Sequence, residues 1–222
     1  MNLYKNHTDS ELITVLDNVT KLTYEAQLNL LREFNKRKIT QDTSTLQLLI
    51  SETETSIRNL DVLKDLGFEA QFDDDTLIVK RDSSAQLMDI VAIVIGFLLA
   101  LIGLIHFWLL IAMFFGDNEF TLTKLITYAL MILAGGVGFK MLKGVHRFLD
   151  YRSFSLEQKR DSLEVHKGGN DVKYTPQDAS LETQDEELIF KLGDDEIMYA
   201  SAHNLKQKMT LEELVRKIKN IG

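Results

Sequence analysis

Two long apolar runs, residues 90–115 and 120–139, interrupt an otherwise charged chain and are separated only by Gly116, Asp117, Asn118 and Glu119. About 20 apolar residues let a helix cross the hydrocarbon core of a bilayer, at roughly 1.5 Å per residue. So short a polar link has no room for a domain. The runs read as a transmembrane helical hairpin within residues 88–149, with spans at about 90–115 and 120–139 and an interfacial helix continuing the second span. The first run is long enough to require tilt or extension beyond the hydrocarbon.

Charge is segregated around the hairpin. Residues 1–82 carry 10 Lys/Arg against 15 Asp/Glu, residues 83–150 carry 4 against 4, and residues 151–222 carry 11 against 14. Neither flank is basic, which argues against nucleic acid as a partner. There is no cysteine, so disulfides and thiolate chemistry are excluded and the polar flanks suit a reducing compartment. No short apolar core follows Met1, so no cleaved signal peptide is expected and the first span serves as the insertion signal. Lys80 and Arg81 precede the first span, and Lys140, Lys143, Arg147 and Arg152 follow the second. The connecting loop holds Asp117 and Glu119, with Lys124 the one nearby base. The positive-inside rule then puts both termini in the cytoplasm and the loop outside. Lys80, Arg81, Lys140, Lys143 and Arg147 become the expected contacts with the inner leaflet.

The N-terminal flank, residues 1–82, reads as a small helical domain closed by a β-hairpin. Thr8 to Glu11 has the form of a capping box, and a second helix start is expected at Thr23. A longer helix is expected over about residues 44–66, stopped by Gly67. Alternation at Phe68, Ala70 and Phe72, an acidic turn at Asp73-Asp74-Asp75 and a β-prone run over 76–80 predict the hairpin. Residues 82–86 read as a linker into the membrane. Residues 150–222 predict short strands at 154–158, 162–166, 171–174, 188–192 and 196–200, then a helix starting at the capping box of Thr210 to Glu213. The fold class is thus an α+β membrane protein whose C-terminal part is a small antiparallel β-domain, a partial barrel closed by the terminal helix.

A resemblance attaches to this last part. Residues 162–165 (Ser-Leu-Glu-Val), 187–192 (Glu-Leu-Ile-Phe-Lys-Leu) and 195–199 (Asp-Glu-Ile-Met-Tyr), followed by the closing helix, resemble bacterial two-span membrane proteins carrying a pleckstrin-homology-like β-domain. The resemblance implies a binding or scaffold role at a membrane and no activity.

Within the hairpin, small residues form rows. Gly96, Ala100 and Gly103 share a face of the first span, and the second offers Ala129 with Gly136 and Ala134 with Gly138. Such rows allow close helix packing, within the hairpin or between copies as a homo-oligomer. His106 is the one titratable residue deep in a span. An intramembrane polar group usually turns inward to a partner, so a hydrogen bond to Thr127 or Tyr128 is expected. His7, His146, His166 and His203 lack metal-ligand spacing. The acidic clusters lack the alternation of a calcium loop, and the glycines at 135–138 lie inside a span, where they cannot cradle a phosphate. No catalytic, cofactor or metal site is therefore expected.

These features predict a non-enzymatic protein of the bacterial inner membrane. Its cytoplasmic domains would bind a protein partner or lipid headgroups, as an adaptor, scaffold or regulator. The alternative is an oligomeric pore-forming effector or transport-complex subunit, which would need self-association because two spans cannot enclose a pore.

Overall fold

A computed structural model describes residues 3–73, 76–115, 121–160 and 162–221. The expected loop at 116–119 and the middle of the acidic turn, Asp74 and Asp75, lie outside the described residues. The chain divides into two compact units, one of residues 1–79, 156–164 and 172–222 and the other of residues 80–155 and 165–171. Residues of both polar flanks thus belong to the first unit.

That first unit opens with α1 (Asp9–Leu16) and α2 (Tyr24–Arg37). Thr8 and Glu11 form the expected capping box, and Thr23 Oγ1 accepts from the Ala26 amide at 3.3 Å. These satisfy amides that a helix start otherwise leaves without partners. Helix α3 (Ser44–Arg58) is shorter than expected. Leu60 adopts a left-handed conformation (φ 63°), which ends the α-helix, and the chain continues as a 3-10 helix over Asp61–Leu66 before Gly67 (φ 83°) turns it into the hairpin. Leu12, Leu30, Phe34, Leu46 and Ile57 are buried together, meeting the three- and four-residue spacing of their helices.

Arg37 organises one end of this cluster. Its guanidinium donates to the carbonyls of Tyr4, Lys5 and His7 and to the carboxylates of Asp9 and Glu33. The Asp9 hydrogen bond, with help from Glu33, raises the Arg37 pKa above its usual value. Glu33 is buried, so the ion pair at 3.0 Å supplies the countercharge that burial of a carboxylate requires.

Among the described residues, eight strands fall into two sheets. One has the order β1-β2-β3-β4-β5, built from β1 (Phe68–Asp73), β2 (Thr76–Arg81), β3 (Ser155–Lys159), β4 (Ser162–Lys167) and β5 (Asn170–Tyr174). The N-terminal hairpin and the strands after the second span are therefore neighbours in a single sheet. The other is an antiparallel meander of β6 (Ala179–Gln184), β7 (Glu187–Leu192) and β8 (Asp195–Ser201), with Leu181 opposite Phe190 and Phe190 opposite Met198. A bulge between Phe190 and Lys191 shifts the register and lets Phe190, Leu192 and Met198 all be buried. Strand β6 carries mostly polar, exposed residues, which is why no strand was expected there.

The last helix, α7 (Leu205–Ile221), begins five residues before the expected capping box at Thr210, because Asn204 caps it by accepting from the Gln207 amide at 3.2 Å. Thr210 is instead buried inside the helix and donates to the Lys206 carbonyl. Leu211, Leu214 and Ile218 are fully buried, and α7 packs against α2, α3 and β6. Each such side chain removed from water contributes about 2 kcal/mol, so α7 holds the N-terminal helices and the second sheet in one core.

The second unit contains two long helices. Helix α4 (Ser83–Phe115) has 33 residues, about 50 Å at the usual rise. It starts earlier than the apolar run because Asp82 accepts from the Ala85 amide and from Ser84 Oγ, so the expected linker is the first turn of the helix. Helix α5 (Leu122–Leu142) is capped by Thr121 and leads through the right-handed helical residue Lys143 into α6 (Gly144–Tyr151). Both long helices, the second counted through Tyr151, are long and apolar enough to cross a membrane.

Tyr174, on β5, donates its hydroxyl to Asp195 on β8 at 2.6 Å. Burial first, then this hydrogen bond and the adjacent charge, push the phenol up to about 12. A raised folded-state value means that the contribution is complete below the unfolded tyrosine range, near 10, and is lost as pH rises through about 12. Tyr174→Phe should therefore lower the denaturation midpoint of the detergent-solubilised chain at pH 9, and this deficit should shrink as pH rises through 10 toward 12. A deficit that stays constant over that range would show that the hydroxyl proton does not carry the link.

Candidate functional site

Backbone contact makes the seam between the spans. A Cβ on Gly103 would lie 2.5 Å from the Cα of Gly135, and a Cβ on Gly138 would lie 2.6 Å from both the Ala100 nitrogen and the Gly96 carbonyl oxygen. On Gly96 it would meet Met141 Cβ at 2.8 Å. No side chain fits at these distances, so the helices approach as closely as they do only because these positions are glycine. Pairing of Gly103 with Gly135 and of Gly96 with Gly138 and Met141 makes the helices antiparallel.

Of the small residues singled out in the sequence, Gly96, Ala100, Gly103 and Gly138 are in this seam and Ala134 is half-buried. Ala129 and Gly136 are not: both are exposed, and the space around Gly136 is open. The adjacent Gly135 occupies the seam in their place. Successive helical residues differ by about 100° in direction, so a one-residue error of phase turns an inward position outward.

His106 also departs from expectation. Its Nδ1–H donates to the Ile102 carbonyl of its own helix at 2.8 Å, and Thr127 Oγ1 donates to the Thr123 carbonyl at 2.9 Å. Tyr128 meets His106 through its ring, edge-on, with centroids 5.7 Å apart. The carbonyl one turn back is the nearest acceptor for each short side chain, so intrahelical bonds replace the cross-helix one.

At the other end of the hairpin is a polar foot. Arg81 is buried, and its Nη2 pairs with Asp89 Oδ2 at 2.6 Å. Its guanidinium lies 5.8 Å from the ring centre of Tyr151, and Lys167 Nζ approaches the same ring at 4.9 Å. Two cations near one buried aromatic ring, in the low dielectric at the base of a helix pair, gain more than exposed ones would. The Gly168 amide donates to the Asp150 carbonyl, and the Arg81 amide to that of Phe154. Gly168 and Gly169, at φ 59° and 82°, form the tight β4–β5 turn that reaches this foot. Arg81 is thus buried in a structural ion pair and lacks the exposure that the expected inner-leaflet contact requires. Lys80, Lys140, Lys143 and Arg147 are exposed.

The first unit carries an open polar cleft of about 600 Å³ lined by Thr23, Glu25, Gln27, Thr53, Asp65, Ser201, His203 and Lys206 among others. Lys206 pairs with Asp65 across it at 3.5 Å. A shallower acidic face on the second sheet brings together Asp185, Glu186, Glu187 and Glu196 around Tyr199. His166 lies 2.6 Å from Asp171, and His203 lies 3.8 Å from Glu186. Among the described residues, no three His, Asp or Glu side chains converge in a way that could hold a metal ion.

Sequence reasoning missed Gly135, Asp89, Tyr151 and Lys167. Asp89 stands eight residues from Arg81, a spacing that brings the two together only if the helix begins at Ser83. No protein-family model matches the chain, and no curated protein or solved structure matches it significantly.

The seam gives a contrast between two neighbouring glycines. Gly103→Leu should destabilise the hairpin by about 1–3 kcal/mol, as overpacking does. Gly136→Leu should stay within about 0.5 kcal/mol of the parent, as an open position does. An SDS-titration unfolding curve of the purified protein in detergent measures both, and equal losses would mean that the seam does not run through Gly103.

Proposed function

We propose that this chain is a two-span integral membrane protein, of the bacterial inner membrane, that holds a polar non-enzymatic body at the cytoplasmic face to dock a protein partner. One observation carries the membrane part. The outward faces of α4 and α5 expose Val94, Phe97, Leu98, Ile105, Trp108, Ile126 and Leu133, while their shared face is nearly all small residues. An apolar surface of that length would be untenable in water and is what hydrocarbon solvates. The antiparallel seam brings both ends of the hairpin to one side, and the cations Lys80, Lys140, Lys143 and Arg147 favour the cytoplasmic side.

Docking is supported by what the first unit presents. Its acidic face surrounds a half-exposed tyrosine, Tyr199, a residue type enriched in protein interfaces. The resemblance of residues 162–165, 187–192 and 195–199 to pleckstrin-homology-like domains of two-span bacterial proteins points the same way, although the strands here fall in two sheets, one shared with the N-terminal hairpin, and not in the expected partial barrel. A second reading, an oligomeric pore or transport-complex subunit, draws on Ala129 and Gly136, which lie outside the intrachain seam and are free to pack against another copy.

Because the chain has no cysteine, single introduced cysteines report topology cleanly. A membrane-impermeant maleimide added to intact cells should label Asn118→Cys, and it should label Ser201→Cys only after lysis. The reverse pattern would overturn the orientation, and labelling of both in a soluble fraction would overturn the membrane reading. A photo-crosslinker at position 199 should capture one defined protein that a crosslinker at position 173 does not. Capture of only the chain itself would favour the oligomer.

A further inference from the structure

On the reading that the hairpin spans a bilayer, we infer that His106 and Tyr128 form a reciprocal hydrogen-bonded contact between two copies of this chain, the Nε2 of each His106 accepting from the Tyr128 hydroxyl of the other copy. The first observation is a pair of polar atoms that the hairpin leaves unused. His106 Nδ1–H is committed to the Ile102 carbonyl at 2.8 Å, so in the neutral ring Nε2 is the acceptor. Among the described residues nothing donates to it, and the Tyr128 hydroxyl likewise makes no hydrogen bond. Both residues are half-buried, and neither atom is sealed inside the hairpin.

The second observation is depth. His106 is nine residues from the end of α4 at Phe115, and Tyr128 is seven from the Thr121 cap of α5. Each therefore lies about 10 Å or more inside the outer helix ends. Lipid at that depth is hydrocarbon, which offers neither donor nor acceptor and penalises an unsatisfied polar group. Thr127 escapes the penalty by donating to the Thr123 carbonyl one turn back. A tyrosine hydroxyl stands too far from its own backbone to do the same. Nor does the hairpin join the two groups to each other, since the rings meet edge-on at 5.7 Å with planes at 62° and share no hydrogen bond.

Symmetry identifies the occupant. Two copies with one orientation in the bilayer are related by an axis along the membrane normal, so every residue keeps its depth in the second copy. The ring contact places His106 and Tyr128 of one chain at nearly the same depth. The donor of one copy is then level with the acceptor of the other, twice over. An isologous contact demands this reciprocity: where His106 meets Tyr128, Tyr128 must meet His106. Any other partner would have to carry both a donor and an acceptor to this depth, and a second copy does so by construction.

The test uses the full-length protein carrying Ser201→Cys, labelled with a donor or an acceptor fluorophore and reconstituted in phosphatidylcholine vesicles. Energy transfer between copies is followed as the protein-to-lipid ratio is lowered. The parent should show transfer. Tyr128→Phe and His106→Leu should each raise the ratio at half-maximal transfer about tenfold, because a pair of like variants loses both bonds and each is worth about threefold. His106→Leu copies mixed with Tyr128→Phe copies should fall about threefold above the parent, since one bond survives in the mixed pair. Thr127→Ala should match the parent. A vesicle-bound parent without transfer, or a mixed pair no tighter than the like pairs, would overturn the contact while leaving the spanning reading intact. Recovery of the parent in the aqueous fraction would overturn the spanning reading itself.

Discussion

Everything at the centre of this molecule follows from one contact, the backbone of Gly103 against the backbone of Gly135. Two apolar helices in a hydrocarbon solvent gain nothing by burying leucine against leucine, because the lipid is as apolar as they are. Close approach must come from packing, and packing this tight needs positions with no side chain. The same contact sets the register. With Gly103 at Gly135 and Gly96 at Gly138, the start of α4 arrives beside the end of α6, and Arg81 comes to Tyr151. The strands β2 and β3, which flank the hairpin in sequence, then become neighbours in one sheet.

The foot of the hairpin shows how that register is used electrostatically. Arg81 is a buried charge, and a buried charge is tolerated only with a close countercharge and further polar contacts. Asp89 supplies the first, and the Tyr151 ring supplies a second, softer contact. Asp89 stays partly exposed, and its pairing cancels one cation together with one anion. The positive balance of the adjoining segments comes instead from Lys80, Lys140, Lys143, Arg147 and Arg152, which outnumber Asp82 and Asp150 although the chain as a whole is acidic.

Legibility in the sequence tracked the range of the physics involved. The apolar runs, the caps at Thr8 and Thr23 and the stop at Gly67 depend on neighbours within one or two turns, and all were readable. The break of α3 at Leu60 was not, because a left-handed leucine is a strained choice that local preference argues against. Strand β6 was missed because edge position and exposure leave it polar. The union of the N-terminal hairpin with the later strands in one sheet was out of reach, since pairing across the 73 residues between Arg81 and Ser155 leaves no local signature. At the seam the correct residue types were visible, but choosing Gly135 over Gly136 requires the phase of a helix to within one residue.

The charge distribution bears on the proposed membrane role. Both polar flanks carry more acid than base, 15 against 10 and 14 against 11, so an anionic leaflet repels them. Screening limits that repulsion to about 8 Å at physiological salt, which is the range in which a tethered body would otherwise lie down on the surface. On the spanning reading, the exposed cations Lys140, Lys143 and Arg147 would be attracted to the same leaflet over the same range. On the proposed spanning reading, the repulsion of the acidic flanks also acts on the acidic face around Tyr199, so anionic lipid would compete poorly with a protein partner for it.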